Sequence, residues 1–448
     1  MATNTFIERQ RTFCALGGAL LTATAIPDVV PIMHSSMGCG TSIYFNQTGS
    51  TGYLGAGYCG GTATPSSNVG ESEIVFGGLD RLHEQVENTL KIVDGKLYVI
   101  LTGCMTDIIG DDIQSIVREF RADGAEIIGA ETGGFKGDGY RGYDIVLEAL
   151  FRDFVVKKPE KIKGKVNVWG IVPGQDAFWR GNLRNLEALL SRLGLQVNTF
   201  FGDDATLDDL RNAGDAELNI VVSKYYGLGA AWAFNDVHKT PFLSTHLPIG
   251  PSATGDFLRS VASALGIDDA AVEAVISAEK RRYFKYVERI ADSYNDLDFQ
   301  RYAVVVGDAN YAPAVTRFLA DDLGWLPELT VVTDDLPDDR QDPIGAYLAD
   351  LSSGFKTKLV FETDTTEVAR HFAAVWPRNN GQKFYDAFSP AFVVGSTLDR
   401  EFAVSIGAAH LAVSAPVGNR VVITRGYAGY EGALGLIEDL LSVTVQGR

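Results

Sequence analysis

The sequence is short of cysteine, of positive charge and of long apolar runs, and each shortage narrows its chemistry. Four cysteines in 448 residues cannot form a disulfide scaffold, which is a device of short, cysteine-dense secreted domains. Reduced thiols, metal ligands or small core residues are left. Lysine and arginine number 39 against 57 acidic residues, a formal net charge of −18. Duplex nucleic acid and anionic membrane surfaces both call for basic faces, so neither is an expected partner. No window reaches the roughly 18 uninterrupted apolar residues of a membrane span. The apolar stretch Ala15–Ile26 behind Arg9 and Arg11 has the outline of a secretory signal core. No cleavage site with a polar mature start follows it, and Val29–Met33 continues as a buried strand would. The chain reads as cytoplasmic. Around Gly307, where a glycine loop invites a nucleotide, neither G-x-G-x-x-G nor G-x-x-x-x-G-K-[ST] is present.

What is there is a large apolar chain, 46% hydrophobic and 21% charged, too long for one ordinary core. Short β-rich runs alternate with amphipathic helical stretches, the signature of βαβ units. Lys96–Leu101 leads into Asp111–Phe120, where Ile113, Ile116, Val117 and Phe120 fall at helical spacing. Val166–Val172 before Asn182–Leu193, and Tyr302–Val306 before Ala312–Leu319, repeat the plan, and Lys358–Phe361 and Ala391–Val394 add later strands. The polar segments Lys157–Lys161 and Ser293–Leu297 each precede a new strand and serve as boundaries. The expected fold is α/β, with three Rossmann-like domains and mostly parallel sheets, at 1–160, 161–295 and 296–448.

Three cysteines stand in suggestive company: Cys14 in Thr12–Gly18, Cys39 in His34–Gly40 and Cys104 in Thr102–Asp112. All lie in or beside glycine-containing loops, and two follow strand-like runs. Glycine lets the backbone approach a bulky cluster with bridging sulfides, and open α/β sheets gather their sites at the carboxyl ends of strands. Spacing alone proves little, since no two form C-x-x-C and a lone cysteine is commonly a small buried hydrophobe. Cys59, in the small-residue stretch Gly55–Thr62, is left outside the candidate set and assigned to packing.

Cys-x-x-Gly at Cys14, His-x-x-x-Gly-Cys ending at Cys39, Val75–Gly78, and the segment from Cys104 to Asp112 together resemble the cluster-binding domain of nitrogenase component 1. Downstream, Ile171–Gly174, Leu247–Gly250, Val306–Asp308, Pro416-x-x-x-Arg420 and Gly429–Ala433 resemble its β (K-type) subunit nearly to the carboxyl end. The resemblance implies that Cys14, Cys39 and Cys104 are the β-side ligands of an [8Fe-7S] P-cluster at an interface with an α (D-type) subunit. Three thiolates are also an awkward number for a closed four-cysteine cluster. It further implies an ATP-dependent homodimeric iron protein as electron donor, an α2β2 assembly, and a catalytic iron–sulfur cofactor in the α subunit only. No cysteine follows Cys104, and no histidine lies between Pro416 and Gly429; His410 falls outside the matching motif.

Two departures shape the expected subtype. Where dinitrogenase β subunits carry a serine that can bind the oxidised cluster, this sequence has Gly134. The chain also begins 13 residues before Cys14, without the long extension of the molybdenum-enzyme β subunit. Both make it look most like a nitrogenase-like methylthio-alkane reductase, cleaving C–S bonds, with an electron-relay role for this subunit. The alternatives are the β subunit of a vanadium or iron-only dinitrogenase, a non-catalytic cofactor-assembly scaffold, and a plain α/β binding protein with incidental cysteines. Among the weaker signals, His34 is expected to be a structural histidine, Asp111 and Asp112 to cap a helix, and Glu71 and Glu73 to open one.

Overall fold

The computed structural model describes residues 7–52, 64–202, 204–296, 301–375 and 392–446. Cys59 lies outside them. Its strands form three sheets in which every pairing is parallel. The first contains β1 (Val29–His34), β2 (Leu97–Thr102) and β3 (Ile127–Ala130), in that order. The second contains β4 (Ile162–Trp169), β5 (Gln196–Asn198), β6 (Ala216–Val221) and β7 (Phe242–Ser244), ordered β5-β4-β6-β7. The third contains β8 (Tyr302–Gly307), β9 (Leu326–Val332), β10 (Lys358–Phe361), β11 (Phe392–Gly395) and β12 (Ala409–Ala412), ordered β10-β9-β8-β11-β12.

The continuous apolar runs seen in the sequence are strands buried on both faces, as parallel sheets require. All six residues of β2 are buried, and the period of two divides them. Leu97, Val99 and Leu101 join a core shared by all three sheets. Tyr98 and Ile100 face a smaller cluster with Ile113, Ile116 and Phe120. In β8, Ala303 and Val305 enter the shared core, while Val304 and Val306 meet Val331 and Val393 on the far side. At roughly 1.5–3 kcal/mol per fully buried aliphatic side chain, the shared core joins the three sheets, while the far faces hold the first and third sheets to their own helices.

The apolar stretch behind Arg11 is a helix, Ala15–Thr24, with nine of its residues buried. It crosses the Gly139–Asp153 helix so closely that glycine is required. A Cβ on Gly18 would meet the Gly139 carbonyl oxygen at 1.9 Å, and one on Gly142 would meet that of Ala15 at 1.9 Å. Among the described residues, no helix is long and apolar enough to cross a membrane. Of the two polar segments expected as boundaries, Lys157–Lys161 runs between the Gly139–Asp153 helix and β4, whereas Ser293 lies within the helix Ala291–Asp296.

Candidate metal centre

The site is built from the carboxyl ends of the first sheet. The chain leaving β1 turns through Ser35 and Ser36 into the Met37–Ser50 helix, which carries Cys39. The chain leaving β2 passes Gly103 and opens the helix Cys104–Ile109 on its thiol residue. The chain leaving β3 carries the Gly133–Gly137 turn. Cys14 arrives from outside the sheet as the residue before the Ala15–Thr24 helix, paired in a single antiparallel bridge with Asp138. Cys39 and Cys104 therefore sit on helices rather than in loops, immediately past the strand ends.

These ends are tied together by backbone and hydroxyl groups. Gly103 N–H and Thr106 Oγ1–H both donate to the His34 carbonyl, each at 2.8 Å. Gly103 has no room for a side chain there, since a Cβ would come within 2.6 Å of Ser35 Cβ. Thr132 completes the tie by donating its N–H to Thr102 Oγ1 at 2.8 Å and its hydroxyl to the Thr102 carbonyl at 2.9 Å. His34 is buried, and burial lowers its pKa despite the pull of Asp111. As a neutral ring it donates from Nε2 to Asp111 Oδ2 and accepts at Nδ1 from Ser67 Oγ, both at 2.9 Å. Asp111 also accepts from Gly78 N–H. It is thus a partner of His34 rather than a helix cap; Asp112 alone caps the Ile113–Ala122 helix, through Ser115 N–H at 3.2 Å. Glu73 accepts from Gly70 N–H at the start of the exposed Glu71–Phe76 helix.

Cys14 and Cys104 converge on Gly134. Its N–H donates to Cys104 Sγ at 3.1 Å. A Cβ at this position would stand 3.0 Å from Cys104 Sγ and 3.3 Å from Cys14 Sγ, so residue 134 sits directly beside both thiols and the glycine leaves that space open. Cys14 and Cys39 line one cavity of about 590 Å³, together with Arg11, Ser36, Ile43 and Pro416. A second cavity of about 510 Å³ reaches from Cys14 and Gly134 to Lys136, Asp138, Tyr225 and Asp334. Among the described residues, no three cysteine, histidine or carboxylate side chains gather closely enough for a single ion. Cys14 and Cys39 instead share a cavity, and Cys14 and Cys104 meet at Gly134, a spread that would suit a polynuclear group better than a single ion.

Two clamps fix this edge. Arg11, three residues before Cys14, is buried and forms a two-pronged pair with Asp399 at 2.6 and 2.8 Å, with further bonds to Thr365 and Ser396. Burial works to raise the Asp399 pKa, but Arg11 and the Ser396 donors more than offset it, so its carboxyl titrates below the usual range. Nothing in the sequence near Arg11 signals a partner 388 residues away. The second clamp is Asp107, whose Oδ2 accepts from Gly133 N–H at 3.1 Å and pairs with Lys136 Nζ at 2.8 Å. Large apolar side chains next to the thiols face outward: Met37, Val75, Ile108 and Phe135 are 60–71% exposed and Phe76 is 86% exposed.

The fold and site together define a three-sheet parallel α/β protein that presents thiols at the open edge of its first sheet. The chain belongs to the nitrogenase component 1 type oxidoreductase family, whose model matches residues 14–444. It is 26% identical over 345 residues to a nitrogenase molybdenum-iron protein beta chain of Sinorhizobium fredii, covering 72% of this chain and 64% of that one. With the Azotobacter vinelandii molybdenum-iron beta chain it shares 25% identity, covering 70% and 61%. With the nitrogenase iron-iron protein beta chain of Rhodobacter capsulatus it shares 24%, covering 74% and 73%. The chain thus spans less than two thirds of the length of the molybdenum-iron beta chains it matches. A solved structure of nitrogenase Cp1 superposes with a TM-score of 0.80 at 19% identity, covering 100% of this chain and 95% of that one. This likeness establishes the fold.

Proposed function

We propose that this chain is the β-type subunit of a nitrogenase-like reductase, in which Cys14, Cys39 and Cys104 hold its half of an [8Fe-7S] P-cluster shared with an α (D-type) subunit. The observation that carries the reading is the convergence of Cys14 and Cys104 on Gly134, with Cys39 lining the same cavity as Cys14. When bound, the cluster supplies one-electron transfer between an ATP-dependent homodimeric iron protein and a cofactor held by the α subunit. This chain's residues hold and shield it: the thiolates ligate, the Gly134 amide donates to a ligand sulfur, and Met37, Val75, Phe76, Ile108 and Phe135 supply an apolar rim for protein partners. The expected assembly is α2β2. Co-expressed with its α partner and purified without oxygen, the complex should be brown and carry about four irons per β chain from the shared cluster. A correctly assembled complex with iron near zero would contradict the proposal.

Gly134 supports a methylthio-alkane as substrate, because residue 134, beside the two thiols, offers no side-chain oxygen to bind an oxidised cluster. The overall step, R–S–CH3 with two electrons and two protons giving R–H and CH3SH, needs only the electrons that the iron protein delivers. The similarity to an iron-iron protein beta chain, over about three quarters of both chains, favours a dinitrogenase as the second reading. Product analysis separates them: methanethiol from a methylthio-alkane supports the first, and ammonia from dinitrogen without thiol release supports the second.

A further inference from the structure

Asp107 stands three residues after Cys104 on the same six-residue helix, and its side chain is only 7% exposed. One atom, Oδ2, takes both the Gly133 N–H and the Lys136 Nζ. Those two groups bracket the Gly134–Lys136 turn, which is closed on itself by Lys136 N–H donating to the Gly133 carbonyl at 2.9 Å. The fit at Gly133 admits no side chain, because a Cβ would lie 2.5 Å from the same Oδ2. Lys136 is further held by Glu131 at 3.0 Å. Between the two gripped points lies the Gly134 N–H, aimed at Cys104 Sγ. A single short helix therefore carries both a thiol and the handle that aims a hydrogen-bond donor at that thiol.

We infer that Asp107 is a positioning residue that sets the reduction potential of the group held at Cys104, by fixing the Gly134 N–H···Sγ hydrogen bond. The inference rests on the reading of Cys104 as a cluster ligand. A donor to a ligand sulfur stabilises the more negative, reduced state and so raises the potential; loss of the donor lowers it. Removing the Asp107 charge acts in the opposite direction, because Lys136 is left less compensated. The two effects are separated by Asp107→Asn and Asp107→Ala. Both lack the charge, but only asparagine keeps an oxygen for Gly133 N–H and Lys136 Nζ.

The test uses the anaerobic complex with its α partner. The cluster potential is read by redox titration followed by electron paramagnetic resonance, and the amide by electron–nuclear double resonance of its exchangeable proton. The expected result is a lower potential in Asp107→Ala than in Asp107→Asn, with the exchangeable-proton coupling of the unmodified complex kept in Asn and lost in Ala. Failure of Ala alone to retain iron, with Asn loaded normally, would also support the inference. Equal potentials and equal couplings in the two variants would overturn it, as would loss of iron in both, since the retained oxygen should rescue. Absence of iron from the unmodified complex would instead overturn the cluster assignment itself, and the inference with it.

Discussion

The first and third sheets bring the same kind of feature to their carboxyl edges, strand-end loops rich in glycine and polar groups, and put it to opposite use. At the third sheet the loop after β8 closes on itself. Asp308 accepts from the Asn310 and Tyr311 N–H groups, each at 2.9 Å, and from Ser414 Oγ at 2.7 Å. Asn310 reaches the carbonyls of Gly170 and Val222, just past β4 and β6 of the second sheet, and Tyr226 donates to Asp334 at 2.8 Å. Burial pushes both carboxyls up, with Asp308 adding to the effect at Asp334. At the first sheet Cys14 and Cys39 line a cavity, and large apolar side chains nearby are exposed. Strand ends of parallel sheets favour sites in general. What separates a joint from a site here is that the polar side chains after β8 tie the strand ends of the second and third sheets together, whereas the thiols of the first sheet gather beside Gly134 and an adjacent cavity.

The largest effect expected on either edge is at Cys104. Cys104→Ala removes a thiolate that no neighbour in Gly103–Met105 can replace, so iron in the assembled complex should fall sharply and reductase-driven turnover collapse. The fold should persist, because the residue is only partly buried. Iron analysis beside circular dichroism checks both halves, and normal turnover would show that Cys104 is not a cluster ligand. Arg11→Met comes next, since it strands the Asp399 carboxylate in the buried joint; breaking a buried ion pair costs about 3–5 kcal/mol. Asp399 titrates below its unfolded value of 3.8, so its contribution is present above that pH and is lost as pH falls through the folded value. Denaturant midpoints of unmodified chain and variant should therefore converge in acid below about pH 4. Because Arg11 anchors the segment leading to Cys14, iron loading should fall as well.

A smaller loss is expected at the closed edge. Asp308→Ala leaves the Asn310 and Tyr311 amides and the Ser414 hydroxyl without their acceptor. An unsatisfied buried donor costs about 1–3 kcal/mol, but relief of the Asp334 repulsion offsets part of this, leaving a net loss of about 2–3 kcal/mol. Iron per folded chain should stay unchanged, and a fall in it would break the contrast between joint and site. An effect largest at neutral and higher pH is expected at Asp144, a buried carboxyl whose pKa burial raises to about 7, and whose Oδ1 accepts from Ala230 N–H at 3.1 Å. A raised folded value adds stability that is fully present below the unfolded value and disappears as pH rises from about 4 to 7. Asp144→Asn keeps the acceptor and cannot ionise. Its stability relative to the unmodified chain should grow across that window; a difference independent of pH would contradict the assignment.

The strands were legible because burial on both faces of a parallel sheet leaves an unbroken apolar signature; Tyr302–Val306 and Lys358–Phe361 become β8 and β10 nearly residue for residue. The neighbourhoods of Cys39 and Cys104 were legible for a related reason, since glycine and cysteine directly after such runs mark a strand end. What the sequence could not show is which distant groups meet. Asp111 looked like a cap because it precedes a helix, yet its carboxylate turns to His34, 77 residues earlier. The joining of Arg11 to Asp399 and of Asp107 to Lys136 depends on loop paths, which leave no period to read. The one local hint was a charged residue within three positions of Cys104 and another within two of Gly134.

Whether three thiols of this chain hold half of an interfacial cluster is read directly from an iron-edge anomalous difference map of the complex crystallised with its α partner. Iron peaks are expected bonded to the sulfurs of Cys14, Cys39 and Cys104, at the junction with the partner subunit. Iron found only inside the partner, with these three sulfurs bare, would contradict the proposal.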